Sequence, residues 1–176
     1  MQTARGASLS SIGDRKHQWI GLFALVALVV YSLDQVTKLW AVARLEGETP
    51  ITLIRGVFEL GFVRNPGAAF GMGESITPVL TTFMIVIAGA VMVAATRMRH
   101  WGWAIALGLL LGGALGNITD RIFREPGPFH GHVVDFLHVS HWPVFNIADC
   151  AITCAAVAVI VLSWRGIGLD STVSKK

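Results

Sequence analysis

Residues 75–96 read SITPVLTTFMIVIAGAVMVAAT, a run of 22 residues without an Asp, Glu, Lys or Arg. A helix needs about 20 consecutive, mostly apolar residues to cross ~30 Å of hydrocarbon. Working outward, residues 17–33, 100–119 and 150–163 are also free of these charges, and the last continues backward through Asp149 to about Val144. Over the whole chain of 176 residues, 14% are charged and the mean hydropathy is +0.62. A soluble domain carries about a quarter charged residues. A soluble bundle built on four such runs would keep too little polar surface. The expected fold is an α-helical integral membrane protein of four transmembrane helices.

Arg15 and Lys16 precede the first run, as in a secretory signal. The following Tyr31-Ser32-Leu33 is a poor small-residue cleavage site, however, and apolar character resumes after Lys38. A retained helix is expected. Basic residues then set the orientation. Arg5, Arg15 and Lys16 lie at the N-terminus, Arg97 and Arg99 in the short second hinge, and Arg165, Lys175 and Lys176 at the C-terminus. Both termini are expected on the cytoplasmic side, with connections 43–76 and 121–143 on the outer side. Those connections carry Arg44, Arg55, Arg64, Arg121 and Arg124, so the bias is moderate. Residues 1–16 and 166–176 read as flexible cytoplasmic tails on a single domain spanning 1–176. The pI near 9.2 belongs to the membrane side, and no nucleic-acid partner is expected.

In the first outer connection, residues 57–63 alternate imperfectly and are rich in β-formers, which predicts a short strand or hairpin at the membrane surface. Asn65-Pro66-Gly67 then makes a turn. Irregular backbone near lipid must be buried in protein or lie at water level, so this segment should pack over the outer helix ends. In the third run Gly108, Gly112 and Gly116 recur every four residues and Asp120 continues the row. Small residues at that spacing let helix backbones approach, which turns Asp120 into the bundle with Asn117 on nearly the same face.

Four aspartates thus gather at one depth near the outer interface, and intramembrane acids are functional candidates. Asp34 has Lys38 four residues on; Asp120 has Arg121 beside it and Arg124 four residues on. These two acids are charge-compensated, and structural roles are expected. Asp135, in the outer loop HVVDFLH (132–138), and Asp149, in FNIADC (145–150) about one turn into the last helix, have no Lys or Arg near them in sequence. Burial and mutual repulsion raise the pKa of such a pair. That is the condition for two carboxyls sharing one proton, one activating water while the other protonates the carbonyl or leaving group. The bland alternative for each acid is a helix cap or a solvated loop position. His130, His132, His138 and His141 share the loop, but none has H-E-x-x-H spacing, so they read as polar interface residues and no metal is expected. Cys150 and Cys154 lie on one helical face with parallel Cβ vectors, which suits packing better than a disulfide or a nucleophile.

Five stretches in order carry a resemblance: DQVTK (34–38), RNPGAAFGM (64–72), GGALGNITDR (112–121), GHVVDF (131–136) and FNIAD (145–149). With them, from Asp34 to about Thr153, the chain resembles the lipoprotein signal peptidases (signal peptidase II), a family of bacterial membrane aspartic proteases. The resemblance implies removal of the signal peptide from diacylglyceryl-modified prolipoproteins, cut just before the lipidated cysteine. It places the work at the outer face of the bacterial plasma (inner) membrane. The family's catalytic pair falls on Asp135 and Asp149, with no cofactor. Asp34, Lys38, Asn65, Gly67, Asn117, Asp120, Arg121 and Asn146 match motif positions that support the site or position substrate. A small β-rich cradle on the outer face is implied as well, matching residues 57–63. Pro66 and the short connection from Asp135 to Asp149 depart from the familiar pattern.

The partners so implied are a diacylglyceryl-prolipoprotein substrate and membrane lipids, with the chain a monomer. The alternative is a small membrane transporter or proton-relay subunit using the same acids. A transporter would more naturally bury them at the bilayer midplane between inverted repeats. A non-catalytic packing subunit would account for the glycine row but not for Asp135 and Asp149.

Overall fold

The charge-free runs form four helices, each long and apolar enough to cross a membrane: α1 (Thr3–Leu45), α2 (Thr77–Ala95), α3 (Trp101–Phe123) and α4 (Ile147–Trp164). The computed structural model describes residues 3–67 and 76–170, with side chains from Trp19 onward. The backbone of the polar N-terminal segment is helical from Thr3, whereas the last six residues, expected as part of a tail, lie outside the described ones. Residues 68–72 of the RNPGAAFGM stretch also lie outside them.

Helix α3 is the centre of the bundle, and α1, α2 and α4 each pack on it. Its span is 67% buried, against 17–22% for the other three, which therefore turn most of their surface outward. That outward surface is apolar: Leu25, Leu28 and Val36 on α1, Val79, Phe83 and Val86 on α2, and Val157 and Ile160 on α4 are exposed. An apolar exterior this extensive fits a lipid environment and not a water-soluble bundle.

The glycine row does what its spacing suggests. A Cβ on Gly108 would stand 2.9 Å from the Phe23 carbonyl oxygen of α1, and one on Gly112 would stand 2.8 Å from Val30 Cβ. On the adjoining face, a Cβ on Gly113 would come within 2.7 Å of the Ala148 carbonyl oxygen of α4. Gly116 could carry no side chain either, because it would run into the Asp34 carboxylate. Bare backbone at these positions brings α1 and α4 close enough for short polar side chains to bridge all three helices.

One end of the bundle is covered by an antiparallel sheet in the order β1 (Ile51–Ile54), β2 (Phe58–Asn65), β3 (Val133–Val139). The expected hairpin is β1–β2. The third strand corrects the expectation of a loop at Asp135. Val133 pairs with Asn65 and Asp135 with Val63, so 133–139 is held by a partner some seventy residues away. Alternation explains the rest: Val134 and Phe136 point to one face and bury against Ala41 and Leu45 of α1, which sends Asp135 to the other. Beyond β3, Phe145 exchanges hydrogen bonds with Leu137 (Phe145 N to Leu137 O, 3.0 Å; Leu137 N to Phe145 O, 2.8 Å). The chain thus doubles back, and α4 begins beside the strand that carries Asp135.

Close approach along α3 is testable. Gly112→Val should lower the thermal unfolding midpoint of detergent-purified protein, since overpacking costs about 1–3 kcal/mol. Gly89→Ala, where a Cβ meets nothing within 4 Å, should leave it nearly unchanged. Equal midpoints for the two variants would contradict the packing described.

Candidate active site

Lys38 is fully buried, and its ammonium group has three acceptors. It donates to Asp34 Oδ2 at 2.8 Å, to Asp120 Oδ2 at 2.9 Å and to Asn117 Oδ1 at 2.8 Å. Three donors meet three acceptors, the condition under which a buried cation is tolerated. The expected compensation of Asp34 by Lys38 is present, and one lysine serves two acids.

Each of those acids also holds a second element. Asp34 Oδ1 accepts from the backbone N–H of Ala148 at 2.9 Å, at the start of α4. Asp120 Oδ2 accepts from Val134 N at 3.2 Å, in β3, and its Oδ1 takes Arg124 Nε at 2.6 Å. Arg121 goes elsewhere. Neighbouring helical residues do not face each other, and Arg121 Nη1 donates to the carbonyls of Asn65 and Gly131, each at 3.1 Å. It thereby clamps the end of β2 to the residues preceding β3. Gly67 completes that corner. It has φ +98°, its N–H donates to Asn65 Oδ1 at 2.8 Å, and a Cβ there would strike Leu80 Cδ1.

Among the described residues, no cation lies within bonding distance of Asp135 or Asp149; asparagines hold them instead. Asp135 accepts from Asn146 Nδ2 on Oδ1 at 2.6 Å and from Asn65 Nδ2 on Oδ2 at 2.8 Å. Asp149 accepts from Asn117 Nδ2 on Oδ1 at 2.9 Å and from the backbone N–H of Asn146 on Oδ2 at 3.2 Å. Asn146 Oδ1 in turn accepts from Asp149 N at 3.0 Å. Asn146 and Asp149 therefore form a reciprocal cap on α4. The same Asn146 side chain binds Asp135, so the cap that starts the helix also sets one carboxyl beside the other. Asp135 is 2% exposed, whereas Asp149 is half-buried. Burial, and then the nearby Asp149 charge, push the Asp135 carboxyl up to about 7, against the opposing pull of the Asn65 and Asn146 hydrogen bonds.

All ten residues singled out in the sequence lie in this one network. Among the described residues the charges in it are four acids (Asp34, Asp120, Asp135, Asp149) and three bases (Lys38, Arg121, Arg124). One proton on the Asp135–Asp149 pair makes the set neutral. Gln35 escapes the sequence reading, although its Nε2 bonds both Asp34 Oδ2 and the Gly116 carbonyl at 3.1 Å. Thr77 and Thr81 escape it too. Both are fully buried in α2, and they tie its start to the Pro66 and Phe129 carbonyls. Small polar residues four apart at the head of an apolar helix are the available signal. The four histidines do not assemble: His138 lies 3.8 Å from Glu59, and His130 leans on the Pro128 carbonyl. Among the described residues no three His, Cys, Asp or Glu side chains are grouped to hold a metal ion.

Comparison with known proteins agrees with this architecture. A family model described as Signal peptidase (SPase) II matches residues 26–165. The chain is 51% identical over 158 residues to a lipoprotein signal peptidase of Streptomyces coelicolor, covering 88% of this chain and 75% of that one. It is 47% identical over 157 residues to that of Rhodococcus jostii (89% and 79% covered). With that of Mycobacterium tuberculosis it shares 45% over 147 residues (83% and 72%). Two solved structures, described as bacterial membrane enzymes determined by the in meso method at 1.9 and 2.3 Å, each superpose with a TM-score of 0.72. Their sequence identities are 28% and 27%, over 81% and 89% of this chain and 92% and 95% of theirs. On the extent of these matches and the shared fold, the chain belongs to the signal peptidase II family.

Proposed function

We propose that the chain is an aspartic endopeptidase that removes the signal peptide from diacylglyceryl-modified prolipoproteins, cutting just before the lipidated cysteine. Family membership supports the substrate class. The observation that carries the chemistry is the bridging of Asp135 and Asp149 by Asn146, with no cation among the described residues on either carboxyl. The pair holds one proton. Its ionised member takes a proton from water as the oxygen attacks the scissile carbonyl. Its protonated member donates to the carbonyl oxygen. Collapse of the tetrahedral intermediate breaks the C–N bond, and the proton goes to the departing amine of the cysteine. Acid and base both come from the protein, so the scheme uses no metal or organic cofactor. Lys38, Asp34 and Asp120 position the pair through Asn117, Ala148 and Val134.

The position of the pair suits a lipid-anchored substrate. It stands at the sheet-covered end of the bundle, where the scissile bond of an acyl-anchored chain would lie near the headgroups. The charge bias supports placing that end on the outer face of the plasma membrane, with both termini cytoplasmic. At the sheet end Arg64, Arg121 and Arg124 are taken up by Glu46, backbone carbonyls and Asp120, while Arg44 and Arg55 are exposed, so the bias is moderate. At the other end Arg97, Arg99 and Arg165 are exposed. The scheme needs one chain only, and the enzyme is taken as a monomer.

Cleavage of a synthetic diacylglyceryl-prolipoprotein peptide by purified protein tests this. Asp135→Asn and Asp149→Asn, matched for folding, should each lose at least about 10²-fold in rate. Cleavage that survives both would sink the dyad. No cleavage by the parent would favour the proton-relay alternative.

A second expectation concerns stability. The folded-state pKa of Asp135 lies above its unfolded value of 3.8, so the folded state binds the extra proton between pH ~4 and ~7. Its contribution to stability is therefore present at low pH and lost as pH rises through about 7. Thermal unfolding of the parent should show that fall, and Asp135→Asn should flatten it. An identical pH profile for the two would show that Asp135 is ionised throughout.

A further inference from the structure

A second concave feature lies at the opposite end of α3 and α4 from the aspartate pair. It is a groove of ≈ 650 Å³ between the start of α3 and the C-terminal half of α4. That volume is within the roughly 300–1,000 Å³ typical of sites for small molecules. Its lining is mostly apolar, with Ile105, Val157, Val161 and Leu162, and also holds Thr153 and Cys154; two lining residues carry nitrogen groups that can face an anion. One of them is Arg165, the residue capping α4. Its guanidinium is exposed and has no hydrogen bond or ion pair among the described residues. The other is His100, 7% exposed. Its Nδ1 accepts from Gly102 N at 3.0 Å, which leaves Nε2 as the ring's N–H donor. Among the described lining residues there is no carboxylate. Trp101 and Trp164, 52% and 87% exposed, flank this end as aromatic residues do at a membrane–water boundary.

We propose that this groove binds one anionic membrane phospholipid, with an acyl chain along Ile105, Val157 and Leu162 and the phosphate between Arg165 and His100. An apolar groove open on the side of a membrane-spanning bundle is filled by acyl chain, because water gains nothing there. The positive charge of Arg165 in the lining selects the headgroup, as basic pockets between transmembrane helices do. The chain's own last residues, Ser171 to Lys176, are a poor occupant. They read STVSKK, with a single large apolar residue and two charges of the same sign as Arg165.

Native mass spectrometry of the detergent-purified full chain tests this, using phosphatidylglycerol and phosphatidylcholine of matched acyl chains. The parent should retain phosphatidylglycerol in preference. Arg165→Gln should lower that retention about fivefold, the worth of one basic residue near a membrane anion. Ala158→Trp, which fills the groove, should lower retention of both lipids. Arg165 is exposed, so its variant keeps the fold, and lipopeptide cleavage by it should be unchanged. Equal retention of the two lipids by the parent would overturn the proposal. So would retention of phosphatidylglycerol untouched by either substitution, or dissociation of a dimer by these substitutions without loss of lipid. Lipid retention is read without the peptidase assay, so this site can fail or stand independently of the aspartate pair.

Discussion

The structure depends on one buried ammonium group. Lys38 Nζ ties α1 to α3 through Asp34, Asp120 and Asn117, and the two acids extend the tie to α4 and β3 through backbone N–H groups. Four elements thus meet on a cation with no exposed surface. Removing one partner of such an arrangement costs about 3–5 kcal/mol, because the rest is left charged and unpaired. An apolar replacement of the whole set would not serve either. The N–H groups of Ala148 and Val134 would lose their acceptors in a place water does not reach. The polar core is therefore the joint that fixes where a strand and a helix begin, and those two elements carry Asp135 and Asp149.

Placing the cation on Asp34 and Asp120, and keeping it off the other two acids, divides the labour. The paired acids are held in place by the ammonium group. The unpaired ones are held by asparagine donors, which orient a carboxyl without forcing it to ionise. Asn117 joins the two sets, accepting from Lys38 and donating to Asp149. Asn146 joins the members of the unpaired set. Lys38 is thus linked to the Asp135–Asp149 pair through two amides. The half-buried Asp149 lies toward solvent while Asp135 lies within, so the pair has one wet side and one dry side.

Much of this is legible in the residues. Hydropathy alone locates the four spans, since charge-free runs of about twenty residues are rare in a chain that must dissolve in water. The spacing of Gly108, Gly112 and Gly116 marks the close face of α3, and the separation of cation-bearing from cation-free aspartates marks the candidate pair. What stays hidden is non-local. Strand β3 has a polar centre and histidines on its flank, so it reads as loop until β2 is found to pair with it across the intervening helices. The role of Arg121 is hidden by its place next to Asp120, because adjacency in a helix is not contact. Gln35 gives no signal, as its two acceptors are a neighbour's carboxylate and a distant backbone carbonyl. The cap formed by Asn146 and Asp149 reads in the sequence only as the bland alternative to catalysis. In the fold the same Asn146 that forms the cap also binds Asp135, so the cap and the proposed site are one arrangement.

The proposed chemistry rests on one proton, carried by the Asp135–Asp149 pair within a core that holds four acids and three bases among the described residues. Difference infrared spectroscopy of the detergent-solubilised protein, titrated across neutral pH, reads that proton as the C=O stretch of a protonated carboxyl. The expected result is a single carboxyl band that disappears as pH rises through about 7 and is absent from Asp135→Asn. A parent protein with no protonated carboxyl above pH ~5, the range of ordinary carboxylates, would contradict it, because the pair would then be doubly ionised and could supply no acid.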